Sequence, residues 1–201
     1  MGDIVTVCLM RHAPTKENLE KRYLGWTDAP LAATTKLAVV DANVDKVYGS
    51  DLLRCRETAA HYFPNASYQT EPRFRETNFG AFEGQTYEEL KMNAHYCAWL
   101  DDPIHTPPPQ GEAFDDFVTR VIDGFNHLPK DEDHYYLVVH GGVIRALLVA
   151  FAPTEQPFWS YQVPHDKQFV LTFSRKAWEE GARCMSLSEA PSSRITICHK
   201  A

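Results

Sequence analysis

Apolar runs alternate with amphipathic stretches along the first half of the chain. Ile4 to Met10 is almost continuously apolar and reads as a strand, Ala32 to Ala42 has helical spacing, and Lys46 to Gly49 is a short strand. A helix is predicted from Asp51 to Tyr62, with Ser50 or Asp51 as its N-cap, and a third strand from Ala66 to Glu71. Thr86 to Leu100 and Phe114 to Leu128 also have helical spacing. Between them, Pro107, Pro108 and Pro109 forbid regular structure within Asp101 to Gly111. Tyr135 to Val139 has the unbroken apolar character of a strand buried on both faces, and it runs through His140-Gly141-Gly142 into a helix from Val143 to Ala152. Gln168 to Ser174, Cys184 to Ser188 and Ile195 to Cys198 read as late strands at a sheet edge.

This alternation predicts an α/β three-layer sandwich, with a mostly parallel central sheet flanked by helices and a helical insertion or cap between Gly84 and Asp133. At 201 residues and 44% hydrophobic composition, the chain suits a single domain over residues 1–201 with a substantial core. Its longest apolar runs fall short of the roughly 20 residues of a membrane span, so no membrane association is expected.

The net charge of −7 argues against a nucleic-acid partner, which normally meets a basic face. A small anion is another matter, because a few Arg and His side chains converging in a cleft set the local potential whatever the total charge. Cys8, Cys55, Cys97, Cys184 and Cys198 show no Cys-x-x-Cys spacing, and with no signal peptide evident they read as reduced thiols, giving a cytoplasmic expectation. The sequence leaves the oligomeric state open, with a homodimer as one option.

The chemistry starts at Leu9-Met10-Arg11-His12-Ala13-Pro14-Thr15. A strand ending in Arg-His puts an imidazole beside a permanent cation at a carboxyl edge, where open α/β sheets gather ligands. Further along stand Arg54 within Ser50-Asp51-Leu52-Leu53-Arg54, Glu76 within Phe74-Arg75-Glu76-Thr77-Asn78-Phe79-Gly80, and His140-Gly141-Gly142.

In that order, these four features resemble the histidine phosphatase superfamily, also called phosphoglycerate-mutase-like. The resemblance implies that His12 attacks phosphorus and carries a transient phosphoryl group. It also implies that Arg11, Arg54 and His140 donate to the phosphate, and that Glu76 exchanges a proton with the leaving oxygen and then with water. The physics agrees: an imidazole is nucleophilic only when neutral, a state that Arg11 favours, and guanidinium forks suit phosphoryl oxygens. Gly141 and the first turn of the following helix suit an anion. Asn18 and Gly25, the latter in Leu24-Gly25-Trp26-Thr27-Asp28, match further phosphate-binding positions. Glu83 is the rival acid to Glu76, and Trp26 is expected to pack rather than bind.

The family usually has Gly-Glu after Arg-His, whereas this chain has Ala13-Pro14. A left-handed backbone at Ala13 would be strained.

The favoured activity is a phosphatase acting on a small phosphorylated metabolite. A mutase must grip a second anionic group, yet the chain has no Arg-Arg pair, and Gly84 to Asp133 holds only Lys91, Arg120 and Lys130 as Lys or Arg. A catalytically inactive phosphate-binding module is the alternative from another class. Trp99, Asp102-Pro103 and Pro108-Pro109-Gln110-Gly111-Glu112 are similar to the cap of the phosphatase branch that includes α-ribazole phosphatase, and Tyr96, Trp99 and Phe114 are candidates to floor its pocket. No His-Glu-x-x-His, His-x-His or paired-cysteine spacing occurs, so neither metal nor cofactor is expected.

Overall fold

The computed structural model describes residues 3–41 and 43–192. Its sheet has six strands in the order β3-β2-β4-β1-β5-β6. These are β1 (Ile4–Arg11), β2 (Lys46–Gly49), β3 (Ser67–Thr70), β4 (His134–Val139), β5 (Lys167–Ser174) and β6 (Ser186–Pro191). The β3, β2, β4 and β1 neighbours run parallel, while β5 is antiparallel to β1 and β6 is antiparallel to β5.

The period-2 alternation of side chains assigns each apolar residue to a face. Val5, Val7 and Leu9 of β1, with Tyr135, Leu137 and Val139 of β4, pack into one core, whereas Cys8, Met10, Tyr136 and Val138 face another. The first core receives α5 (Phe114–Asn126), α6 (Gly141–Phe151) and, through Trp178, α7 (Arg175–Glu180). The second receives Cys55, Ala59 and Tyr62 of α2 (Leu53–Tyr62). Helices thus cover both faces, giving the three layers.

A third, aromatic cluster of Phe82, Leu90, Tyr96 and Trp99 lies under α3 (Tyr87–Leu90) and α4 (Ala94–Asp101), with Tyr23 and Phe79 packed against it. The helix expected over Thr86 to Leu100 is therefore two. A Thr86–Glu89 capping box starts α3, and the Asn93 side chain accepts from the His95 and Tyr96 amides to restart the chain as α4.

The expected helix over Ala32 to Ala42 is absent among its described residues. The segment bonds outward instead: the Ala32 amide and the Thr35 hydroxyl donate to the Pro14 carbonyl, and the Val40 amide donates to the carbonyl of Tyr62. Partners across the fold, together with β-branched Thr34 and Thr35, outweigh its helical spacing. The sequence reading also passed over α1 (Lys16–Leu19), which a Thr15–Asn18 capping box starts, and α7, which Ser174 caps and Gly181 ends at φ +65°. Strand β6 is shifted from the expected Cys184 to Ser188, and Ile195 to Cys198 lies outside the described residues. No described helix is long and apolar enough to cross a membrane.

Candidate active site

Parallel pairing of β1 with β4 brings Arg11 level with Val139, so the residues that follow each strand meet at one sheet edge. The rings of His12 and His140 stand 5.1 Å apart between centroids at 63°, and both are buried. Burial is the largest cause holding both imidazoles well below the ordinary histidine pKa, and the nearby Arg54 and Arg11 charges add to it. Both rings are therefore neutral at physiological pH.

Hydrogen bonds assign the tautomers. Nδ1 of His12 lies 2.8 Å from the Ala13 carbonyl oxygen and donates to it, leaving Nε2 with a free lone pair. Nε of Arg54 donates to Nδ1 of His140 at 3.3 Å, so the proton of neutral His140 sits on Nε2. One ring offers a nucleophilic nitrogen and the other an N–H donor.

Arg11 closes β1, and its Nη1 donates to the Val163 carbonyl at 2.8 Å. Its Nε is buried and has no hydrogen-bond partner among the described residues. An unpaired buried guanidinium nitrogen is costly, and an anion beside it removes that cost. Arg54, fully buried on α2, donates through Nη1 to the Thr27 carbonyl and through Nη2 to the Gly25 carbonyl. It reaches the imidazoles as expected while also tying down the 25–27 loop.

Gly25 joins the site through that carbonyl, and a Cβ there would overlap the Thr77 carbonyl and the Glu83 carboxylate. Gly141 opens α6 against the Arg11 guanidinium. Asn18 spends its Oδ1 on the Thr15 amide and its own amide on the Thr15 hydroxyl. None of its hydrogen bonds among the described residues reaches the imidazoles.

Glu76 and Glu83 separate clearly. The carboxylate of Glu76 accepts from the Gly142 amide at 2.9 Å through Oε2 and from the Thr77 amide at 3.0 Å through Oε1. It is thereby anchored to the first turn of the helix that His140 starts. Glu83 accepts from the amides of Trp26 and Thr27, each at 2.7 Å, from the Thr27 hydroxyl and from the Phe79 amide. It is a loop clamp. Trp26 packs as anticipated: its Nε1 donates to the Glu76 carbonyl, and its ring lies 5.1 Å from the guanidinium carbon of Arg75.

Ala13 carries no strain. Among the described non-glycine residues only Lys21 and Gln110 have positive φ, and the Ala13 amide donates to Oγ1 of Thr58 at 2.9 Å.

Several residues at the site escaped the sequence reading. Nδ1 of His165 donates to the His12 carbonyl at 2.6 Å, and its ring stands edge-on to that of His12 at 5.4 Å. Burial, helped by the Arg11 charge, lowers the His165 pKa to about 4. Arg120 of α5 donates to the carbonyls of Arg73, Arg75 and Glu76 and pairs with Glu112. The only sequence signal for His165 was a histidine just before a strand. For Arg120 it was a lone cation on an otherwise acidic helix.

Next to Glu76 and Gly142 lies a cavity of about 610 Å3 whose lining includes Tyr23, Phe79, Trp99 and Phe114. Tyr96, a candidate for that wall, is instead fully buried in the cluster behind it. Among the described residues no His, Cys, Asp and Glu side chains form a group suited to hold a metal ion.

Two imidazoles of complementary tautomer, the guanidiniums of Arg11 and Arg54 and an amide-anchored carboxylate thus lie at the carboxyl edge of the sheet. Residues 7–182 match the sequence profile of the histidine phosphatase superfamily (branch 1), and the chain belongs to that family. It is 28% identical over 183 residues to the adenosylcobalamin/alpha-ribazole phosphatase of Escherichia coli (strain K12), covering 84% of this chain and 90% of that protein. It is 26% identical over 166 residues to a 2,3-bisphosphoglycerate-dependent phosphoglycerate mutase of Methylocella silvestris, covering 70% of this chain and 78% of that protein. The crystal structure of a putative alpha-ribazole-5'-P phosphatase from Escherichia coli superimposes with a TM-score of 0.79 at 23% identity, covering 96% of this chain and 98% of that one, a likeness of fold.

Proposed function

We propose that the protein is a metal-independent phosphomonoester hydrolase working through a phosphohistidine at His12. Nε2 of His12 attacks phosphorus as the bond to the ester oxygen breaks, and Glu76 delivers a proton to that oxygen. Water then attacks phosphorus, Glu76 takes its proton, and the P–N bond breaks to release phosphate and restore both residues. Arg11, Arg54, His140, the side-chain N–H groups of Asn18 and the backbone amides of Gly25 and Gly141 hold the equatorial oxygens, where charge accumulates.

The single observation carrying this reading is the fixed tautomer of His12. A buried, neutral ring with Nδ1 tied to the Ala13 carbonyl keeps Nε2 available, and the preceding Arg11 holds a buried Nε with no partner among the described residues.

Hydrolysis is favoured over mutase-type transfer because the insertion offers no free cation cluster. Arg120 is committed to three carbonyls and Glu112, Lys91 to Glu88, and Lys130 to the ring of Trp178. The aromatic cavity supports a bulky organic ester, and α-ribazole phosphate is one such candidate. A panel of phosphorylated metabolites including α-ribazole phosphate and phosphoglycerates, ranked by kcat/KM with and without EDTA, tests the reading. Chelator-insensitive phosphate release is expected. Absence of turnover between about pH 4 and 9 would point to a phosphate-binding module, and exchange between phosphoglycerate positions would point to a mutase.

A further inference from the structure

The aromatic cavity contains a cation that belongs to neither the phosphate pocket nor the insertion. Its rings are Tyr23, Phe79, Trp99, Phe114, Phe158 and Trp159, and among the described residues Arg145 is the only Lys or Arg in its lining. Arg145 follows Gly142 by about one helical turn on α6, so it lies on the face of the helix that anchors Glu76, with its side chain leaning toward the helix N-terminus. Its guanidinium is held from two directions. Nε donates to the Tyr161 carbonyl at 3.0 Å, and the guanidinium carbon lies 6.0 Å from the Trp159 ring centroid. Nη1 and Nη2 have no partner among the described residues.

We propose that Arg145 receives an acidic group on the alcohol part of the substrate, so that preferred substrates are phosphate monoesters with a flat, apolar leaving body bearing one carboxylate-type acid. A guanidinium fixed by its Nε presents both Nη donors in one plane, the geometry that a carboxylate accepts in bidentate fashion. The aromatic walls favour a flat body, which a small phosphoglycerate lacks. One acidic group is the limit, because Glu76 and Asp101 also line the cavity while Glu112 is already paired with Arg120. A second dianion would meet unbalanced carboxylates. This inference rests on the phosphatase reading and narrows the substrate class of the same site, leaving out α-ribazole phosphate, whose alcohol part carries no acid.

Two probes of nearly equal shape, 3-carboxyphenyl phosphate and 3-carbamoylphenyl phosphate, isolate the charge. The wild-type ratio of kcat/KM, carboxylate over carboxamide, is expected to be about tenfold or more, the scale of one charge-assisted bond. Arg145→Gln brings that ratio close to one, and Arg145→Lys, which keeps the charge without the fork, falls between. A wild-type ratio near one overturns the assignment. So does a ratio unchanged in Arg145→Gln while both rates fall together, since Arg145 would then serve the phosphoryl group or the fold. If the wild-type protein hydrolyses members of the metabolite panel but neither probe, this assignment alone fails; if it hydrolyses nothing in either set, the phosphatase reading fails with it.

Discussion

The ring of His12 meets the ring of His140 edge to face, with centroids 5.1 Å apart, because β1 and β4 are parallel neighbours ending level with each other. His140 leads directly into α6, whose Gly142 amide holds the Glu76 carboxylate. His12, His140 and the residue that anchors Glu76 are thus set by one sheet edge.

If Glu76 delivers the proton, its loss must depend on the leaving group. Glu76→Gln is expected to lower kcat by about 10²–10⁴-fold on an alkyl phosphate, the usual range for general acid catalysis, and by much less on p-nitrophenyl phosphate. Equal losses on both substrates would show that Glu76 only shapes the pocket.

Gly142 gives a complementary test. A Cβ at this position would overlap the Glu76 carboxylate and press on the Phe117 ring. Alanine is itself the better helix former by roughly 1 kcal/mol, so Gly142→Ala should retain its fold by circular dichroism while kcat drops about tenfold or more through displacement of the acid. Unchanged turnover would mean that the Gly142–Glu76 hydrogen bond has no part in catalysis.

Arg120 holds the Glu76 backbone from α5. Its ion pair with Glu112 is largely buried, and its guanidinium also satisfies three carbonyls. Arg120→Met should cost about 2–4 kcal/mol in denaturant unfolding, somewhat below the range for breaking a fully buried pair because both side chains keep some solvent contact. A cost under about 0.5 kcal/mol would contradict this.

Much of this site was legible in the sequence. His12 and His140 each follow a strongly apolar strand, the first of which Arg11 closes, Arg54 lies in a helix whose spacing was legible although its N-cap is Leu52 and not the expected Ser50 or Asp51, and Glu76 lies in a recognisable short motif. His165, Arg120 and Arg145 were not legible, because their roles depend on tertiary placement. His165 precedes β5, and only the antiparallel pairing of β5 with β1 brings it back beside His12. Arg145 looked like an interruption in an apolar helix, and nothing local showed that its face of α6 lines a cavity. The failed helix over Ala32 to Ala42 has the same origin, since the acceptors at Pro14 and Tyr62 that hold the segment are distant in the chain.

The three imidazoles also shape stability against pH. His165 has a folded pKa of about 4 against an ordinary 6.5, and His12 and His140 are lowered as well. Below pH 6.5 the unfolded chain therefore binds protons that the folded protein refuses. Stability falls as pH drops from 6.5 toward 4, by up to about 1.4 kcal/mol per unit for each such ring. His165→Asn removes one of these groups while keeping a donor for the His12 carbonyl. Urea unfolding at several pH values across that window should give a shallower slope for the variant than for the wild type. Parallel slopes would show that His165 takes up its proton over the same pH range in the folded and unfolded chains.

The most direct measurement traps the intermediate itself. Wild-type protein mixed with ³²P-labelled p-nitrophenyl phosphate and quenched in alkali within milliseconds should carry an acid-labile, alkali-stable label on the peptide containing His12. His12→Ala should fold, lose turnover by roughly 10³-fold or more, and carry no label. Label on another residue, or near-normal turnover by His12→Ala, would contradict nucleophilic attack by His12.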